Sequence, residues 1–181
     1  VGTDSPRRTG FVLGRRPDLQ LHPLYGNVDT RLRRLDAHDT DALILACAGL
    51  DRLGMGDRIS ERIAADILPP AAGQGAIAVQ ARSDDDRVRP ILAEIDDRTT
   101  RLAVTTERRF LRACGGGCRS PIGALATVHA ERLTRRVGWV GADGTNAGSG
   151  RVEGPAGEGD ALALRLARSF GAIRAVDANS A

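Results

Sequence analysis

Residues 42–47 read Ala42-Leu43-Ile44-Leu45-Ala46-Cys47, six apolar side chains in succession. A half-buried strand alternates apolar with polar residues. An unbroken run of this length instead predicts a parallel strand covered on both faces. Helix and strand patterns alternate around it. Ser5-Pro6 has the form of an N-cap with proline in the first turn, and predicts a helix to about Arg16. Residues 19–24 predict a short strand, and Asn27 caps a second helix with Val28, Leu32 and Leu35 as its inner stripe. Alternation of this kind implies an α/β layer.

The pattern changes at Leu68-Pro69-Pro70-Ala71-Ala72-Gly73-Gln74-Gly75, a linker by composition. Residues 76–79 predict a strand. Asp84-Asp85-Asp86 then opens a helix to about Ile95, its acids read as partners of the helix dipole and not as metal ligands. A long helix is expected over 98–114, with Ala103, Val104, Phe110, Leu111 and Cys114 on one side, ended by Gly115-Gly116-Gly117. Strands are predicted over 122–128 and 133–140, with a weaker one near 150–152. The last helix, 160–170, spaces Leu162, Leu166 and Phe170 four apart. These elements together describe a small α+β domain.

Among the 181 residues, 41% are hydrophobic and only 3% aromatic, so Ala, Leu, Val and Ile must build the core. No apolar run approaches the ~20 residues needed to cross a bilayer, and no secretory signal stands at the start. Cytoplasmic location without membrane contact is the expectation. The 26 basic residues are all arginine, the GC-rich-codon choice, and each carries a permanently charged planar fork suited to carboxylate or phosphate. A net charge of +3, spread along the chain, argues against a nucleic-acid-binding module. Cys47, Cys114 and Cys118 make an odd count, which fits reduced thiols better than disulfides. The sequence begins at Val1 and its one methionine is Met55, so it is expected to be part of a longer protein.

The segment richest in chemistry is Gly115-Gly116-Gly117-Cys118-Arg119-Ser120-Pro121-Ile122-Gly123. Glycines strip side chains from around the thiol, Pro121 stiffens the chain beyond it, and Arg119 beside it favours thiolate. Cys47 and Cys114 read as small hydrophobes. For Cys118 a reactive or modified thiol and an unmodified one both stand. Zinc is not expected, because no second cysteine pair follows and His22, His38 and His129 lack ligand spacing.

The stretch 116–123 resembles the cofactor-attachment loop of the hydroxymethylbilane synthase (porphobilinogen deaminase) family. Gly2-Thr3-Asp4-Ser5-Pro6-Arg7-Arg8 is similar to that family's Gly-Thr-Ser-Ser-x-Arg-Arg motif. Gly26-Asn27-Val28-Asp29-Thr30-Arg31-Leu32 is similar to its Arg-Gly-Asn-x-x-Thr-Arg-Leu motif. Asp41 to Ala46, Ala48 to Gly54, Leu68-Pro69, Gly73 to Ala76 and Thr106-Glu107-Arg108 follow in the family's order, and the match fades after about Val140.

The resemblance implies a partial periplasmic-binding-protein-like α/β domain over 1–72. It further implies a strand and helix over 73–95 belonging to a first domain, and a cofactor-carrying α+β domain over 96–181. The implied activity joins four porphobilinogens, with release of ammonia, into linear hydroxymethylbilane. They grow on a dipyrromethane cofactor linked by a thioether to Cys118. Each porphobilinogen loses ammonia to give an electrophile that the bound pyrrole chain attacks, and water finally releases the product. Arg7, Arg8, Arg31 and Arg52 match substrate- and cofactor-binding arginines; Thr3, Ser5 and Gln74 match polar cofactor contacts. The family's catalytic aspartate lies in an N-terminal segment without counterpart here, so the piece alone is expected to be inactive. A monomer is implied for the whole protein, while Ile77 and Val79 would be exposed in this piece and favour association. Tyr25 stands where the family has an arginine, Asp4 replaces a serine and Asp51 a frequent lysine, which puts negative charge near an anion site. A truncated or degenerate homologue that binds anionic small molecules without catalysis is the alternative.

Overall fold

The computed structural model describes residues 1–117 and 119–178, with side chains up to residue 170. Helices α1 (Pro6–Leu13), α2 (Val28–Asp36), α3 (Cys47–Arg52), α4 (Val88–Glu94) and α5 (Arg98–Ala113) precede strands β1 (Ile122–His129), β2 (Arg132–Trp139) and β3 (Gly148–Pro155); helix α6 (Gly159–Ala178) closes the chain. The three strands form an antiparallel sheet in sequence order. The protein is thus a mixed helix-and-strand chain that divides into two compact units. One groups Val1–Pro69 with Arg119–Ile122 and Gly138–Gly148, and the other holds the rest of the described chain.

In the first unit, the segment at Gly2 runs parallel to two others. Gly2 pairs with His22 on one side and Leu43 on the other, through Thr3 N–H to the His22 carbonyl at 3.1 Å and Gly2 N–H to the Ala42 carbonyl at 2.8 Å. A β-carbon on Gly2 would sit 2.9 Å from Leu43 Cδ2 and 3.0 Å from Leu24 Cδ2, so a larger residue there would have to displace both leucines. Buried Phe11, Leu24, Leu32 and Leu50 pack this unit, each contributing about 1.5–3 kcal/mol of apolar burial. α1 starts where Ser5 Oγ accepts the Arg8 N–H and Pro6 fills the first turn; α2 starts where Asn27 Oδ1 accepts the Thr30 N–H at 2.9 Å. Such caps contribute about 1 kcal/mol apiece.

In the second unit, α5 packs along α6, with Phe110 and Phe170 edge to face at 6.3 Å between ring centres. Leu133, Val152, Ala156 and Leu162 form its apolar centre, with Leu102, Val128 and Leu166 against them. β2 sends Leu133, Arg135 and Val137 inward at alternate positions.

The expected doubly covered strand at 42–47 is corrected. Leu43 makes a single bridge, Leu43 to Leu45 are only half-buried, and Cys47 already belongs to α3. An apolar run states that a segment seeks burial without naming its neighbours, and the segment at Gly2 is the one the described residues supply. Residues 19–24 likewise hold one bridge, and 76–79 carry no strand, with Ile77 77% exposed. α4 begins at Val88, later than the three acids suggest. Asp85 reaches forward to accept the amides of Arg87 and Val88, so its carboxylate serves the chain's entry into the helix. Among the described residues, no helix is long and apolar enough to cross a membrane.

Candidate functional site

The first unit gathers four of the sequence-predicted residues around the turn that feeds α1. Thr3 is buried, and its Oγ1 accepts the Ser5 amide at 3.3 Å. Ser5 caps the helix, so both hydroxyls shape the turn. Arg8 reaches from the first helical turn to the Ile44 carbonyl at 2.9 Å. Burial lowers the Arg8 pKa and the neighbouring Arg31 charge lowers it further, against the opposing pull of Asp4 and Cys47. Arg8 is therefore a half-buried cation whose charged form an arriving anion would stabilise.

Arg31, on the first turns of α2, is locked from two sides. Its Nε donates to the Gly26 carbonyl at 2.8 Å, and its Nη1 and Nη2 donate to Asp4 Oδ1 and Oδ2 at 3.0 and 3.1 Å. Gly26 makes the approach possible: its φ is +114°, and a β-carbon would lie 2.8 Å from Thr30 Cγ2. Asp4 occupies a motif position where the resemblance has serine, and this fork is its consequence.

Arg7, next to Arg8 on α1, makes a different contact. It is buried and donates to the Pro69 carbonyl, and burial foremost, with Arg8 beside it, lowers its pKa to about 10. Arg52 ends α3, exposed. Its neighbour Asp51 forms a two-pronged pair with Arg62 at 2.7 and 3.0 Å, which holds the Asp51 pKa below the usual carboxylate range. Gln74, in the second unit, is exposed and accepts the Ala71 amide at 3.1 Å within a tight turn. Cys118 lies outside the described residues.

The second unit holds an arrangement that sequence reading missed. Glu107 on α5 is buried, and it accepts the Gly73 amide at 2.6 Å and the Ala126 amide at 2.8 Å. Burial raises its pKa above the usual carboxylate value, against the two amides and Arg135. Arg135, wholly buried, donates to the Thr106 carbonyl and lies 5.6 Å from the Phe110 ring centre. Its pKa falls to about 10 by burial, with Glu107 opposing the fall. One signal was available: Thr106-Glu107 belongs to a matched motif yet sits inside the helix, where a polar pair has no capping duty.

Two family models match the chain in succession. "Porphobilinogen deaminase, dipyromethane cofactor binding domain" covers residues 1–90, and "Porphobilinogen deaminase, C-terminal domain" covers 101–170. The chain belongs to the porphobilinogen deaminase family. The C-terminal match continues to residue 170, well past Val140 where motif similarity fades. Among curated members of the porphobilinogen deaminase family, that of Roseiflexus sp. (strain RS-1) is 50% identical over 170 residues, or 92% of this chain and 56% of its own length. The porphobilinogen deaminase of Desulforudis audaxviator is 46% identical over 167 residues, 92% of this chain and 54% of its own. That of Pelotomaculum thermopropionicum is 47% identical over 170 residues, 94% and 54% respectively. The chain spans just over half the length of the curated relatives it matches.

Proposed function

We propose that the protein carrying this chain is a cytoplasmic hydroxymethylbilane synthase that condenses four porphobilinogens with release of ammonia. The observation that carries this reading is the ordered match of both family models over a sequence about half identical to named porphobilinogen deaminases. The donor chemistry of the turn at α1 agrees with it. Arg8 and Arg31 offer guanidinium groups, a pair suited to a ligand bearing several carboxylates.

On this reading Cys118 holds the dipyrromethane through a thioether. When bound, that group supplies the carbon nucleophile that porphobilinogen extends. The chain's own residues bind and orient. Arg8 and Arg31 hold carboxylates, Arg52 and Gln74 add contacts, and Thr3 and Ser5 fix the turn that aims Arg8. Arg7 matches a binder by its motif position, but it is buried against the Pro69 carbonyl, so on this reading it supports the turn that the ligand meets. The aspartate that assists the pyrrole nitrogens in the family is assigned to no residue of this chain. Residues 1–72 form part of a periplasmic-binding-protein-like domain, 73–95 belong with the preceding domain, and 96–181 carry the cofactor. The whole protein is a monomer.

Intact mass of the full-length protein, before and after Cys118→Ser, tests the reading. A dipyrromethane adduct that stains with Ehrlich's reagent is expected on the wild type and not on the variant. An unmodified wild-type protein, unable to load when given porphobilinogen, would overturn it.

A further inference from the structure

We propose that Asp4 is a built-in competitor for the carboxylate site, its side chain holding the Arg31 guanidinium in the place of a ligand carboxylate. The inference rests on the reading that Arg31 receives carboxylates. Both Asp4 oxygens meet both terminal nitrogens of Arg31, at 3.0 and 3.1 Å, the fork-to-fork geometry a ligand carboxylate would adopt. The third edge is spent too, since Nε is held by the Gly26 carbonyl at 2.8 Å. Asp4 has no capping duty that would explain its place; Ser5 caps α1.

The pair is accessible, with side-chain exposures of 34% for Asp4 and 15% for Arg31, so a ligand can reach it from solvent and exchange can proceed. Exchange of one carboxylate for another leaves the count of Arg31 bonds unchanged. The displaced Asp4 then adds like-charge repulsion against the newcomer and against any further carboxylate on Arg8. Apparent affinity is therefore the intrinsic affinity multiplied by the fraction of molecules in which Arg31 is free. Asp4 sets how many carboxylates the turn retains, and how tightly, without touching the pyrrole rings. A serine at this position would keep the turn and leave the fork open.

The experiment uses full-length protein, with glutarate as the probe titrated by calorimetry at low ionic strength. Asp4→Ser and the shape-matched Asp4→Asn are each expected to bind glutarate about fivefold more tightly than wild type, the scale of a partly exposed ion pair. The gain should vanish in Asp4→Ser combined with Arg31→Gln. Unchanged affinity in both single variants, or a gain that survives the loss of Arg31, would overturn the proposal. Intact mass on the same samples separates this from the functional reading. Absence of a pyrrole adduct with the glutarate effect intact sinks the synthase, whereas a loaded Cys118 with no glutarate effect sinks the role of Asp4.

Discussion

The Ala126 amide donates to the Glu107 carboxylate at 2.8 Å, so a buried acid on α5 ties down the middle of β1. The second oxygen accepts Gly73 at 2.6 Å, so the same side chain also fastens the turn that carries Gln74. Replacing Glu107 by Gln keeps the size but turns an NH2 toward one of two amide donors, leaving that amide unsatisfied in a dry setting. Glu107→Gln is expected to cost about 2 kcal/mol, read as a lower urea midpoint at unchanged m-value.

The same group gives a pH signature with a definite sign. Burial raises the folded pKa of Glu107 above the ordinary 4.5, so the folded state holds its proton to higher pH than the unfolded state. Its contribution to stability is fully present below the unfolded value and is lost as pH rises through the folded one. Wild type should therefore lose stability relative to Glu107→Gln as pH climbs from about 4.5, levelling once Glu107 is ionised in both states. Parallel stability curves for the two proteins across that window would show that Glu107 titrates alike folded and unfolded.

Arg135 makes the complementary case. It is fully buried, its Nε and Nη1 find no hydrogen-bond partner among the described residues, and Phe110 lies beneath it. Truncation by Arg135→Ala strips Glu107 of its neighbouring charge and opens a void, and should cost about 3–5 kcal/mol. Arg135→Met fills the space without a charge to desolvate and should recover at least half of that loss. Thermal denaturation of the two variants checks the order; Met as costly as Ala would mean that charge, not volume, decides the site.

Much of the local structure was legible in the sequence because its causes are local. The caps at Ser5 and Asn27, the glycine stop of α5 and the positions of β1 and β2 depend on residues a few places apart. What failed depends on distant partners. The run at 42–47 could not announce that Gly2 would be its bridge partner, and Ile77 and Val79 patterned as a strand without one. The burial of Glu107 and Arg135 was not legible, since it depends on the packing of α5 against strands that follow it in the chain. At the turn before α1, the identities of Arg8 and Arg31 were readable from motif order. That Asp4 would occupy Arg31 was not, since 27 residues of chain separate them.

A packing test bears on α1. A β-carbon on Gly10 would fall 2.5 Å from the Gly141 carbonyl oxygen and 2.7 Å from Val140 Cγ1. Backbone cannot yield as a flexible side chain can, so Gly10→Ala must push α1 away from the segment beyond β2. In an exposed helix that substitution would gain up to about 1 kcal/mol from propensity. Here overpacking outweighs it, and a net loss of about 1–3 kcal/mol is expected from chemical denaturation.

The adjacent arginines Arg7 and Arg8 should separate by phenotype. Arg7 is buried against Pro69, so Arg7→Gln leaves a buried carbonyl short of its donor and removes a charge the fold has already desolvated. Its effect should fall on stability, by about 1–3 kcal/mol, with glutarate affinity near wild type in the fraction that remains folded. Arg8 is less enclosed and lies close enough to Arg31 and Asp4 to feel both charges. Arg8→Gln should therefore spare most of the stability and weaken carboxylate binding severalfold, roughly one lost charge-assisted hydrogen bond. Denaturation and calorimetry on the same preparations decide it. If Arg7→Gln weakens binding while leaving the unfolding midpoint alone, the Pro69 contact is incidental and Arg7 belongs with the ligand.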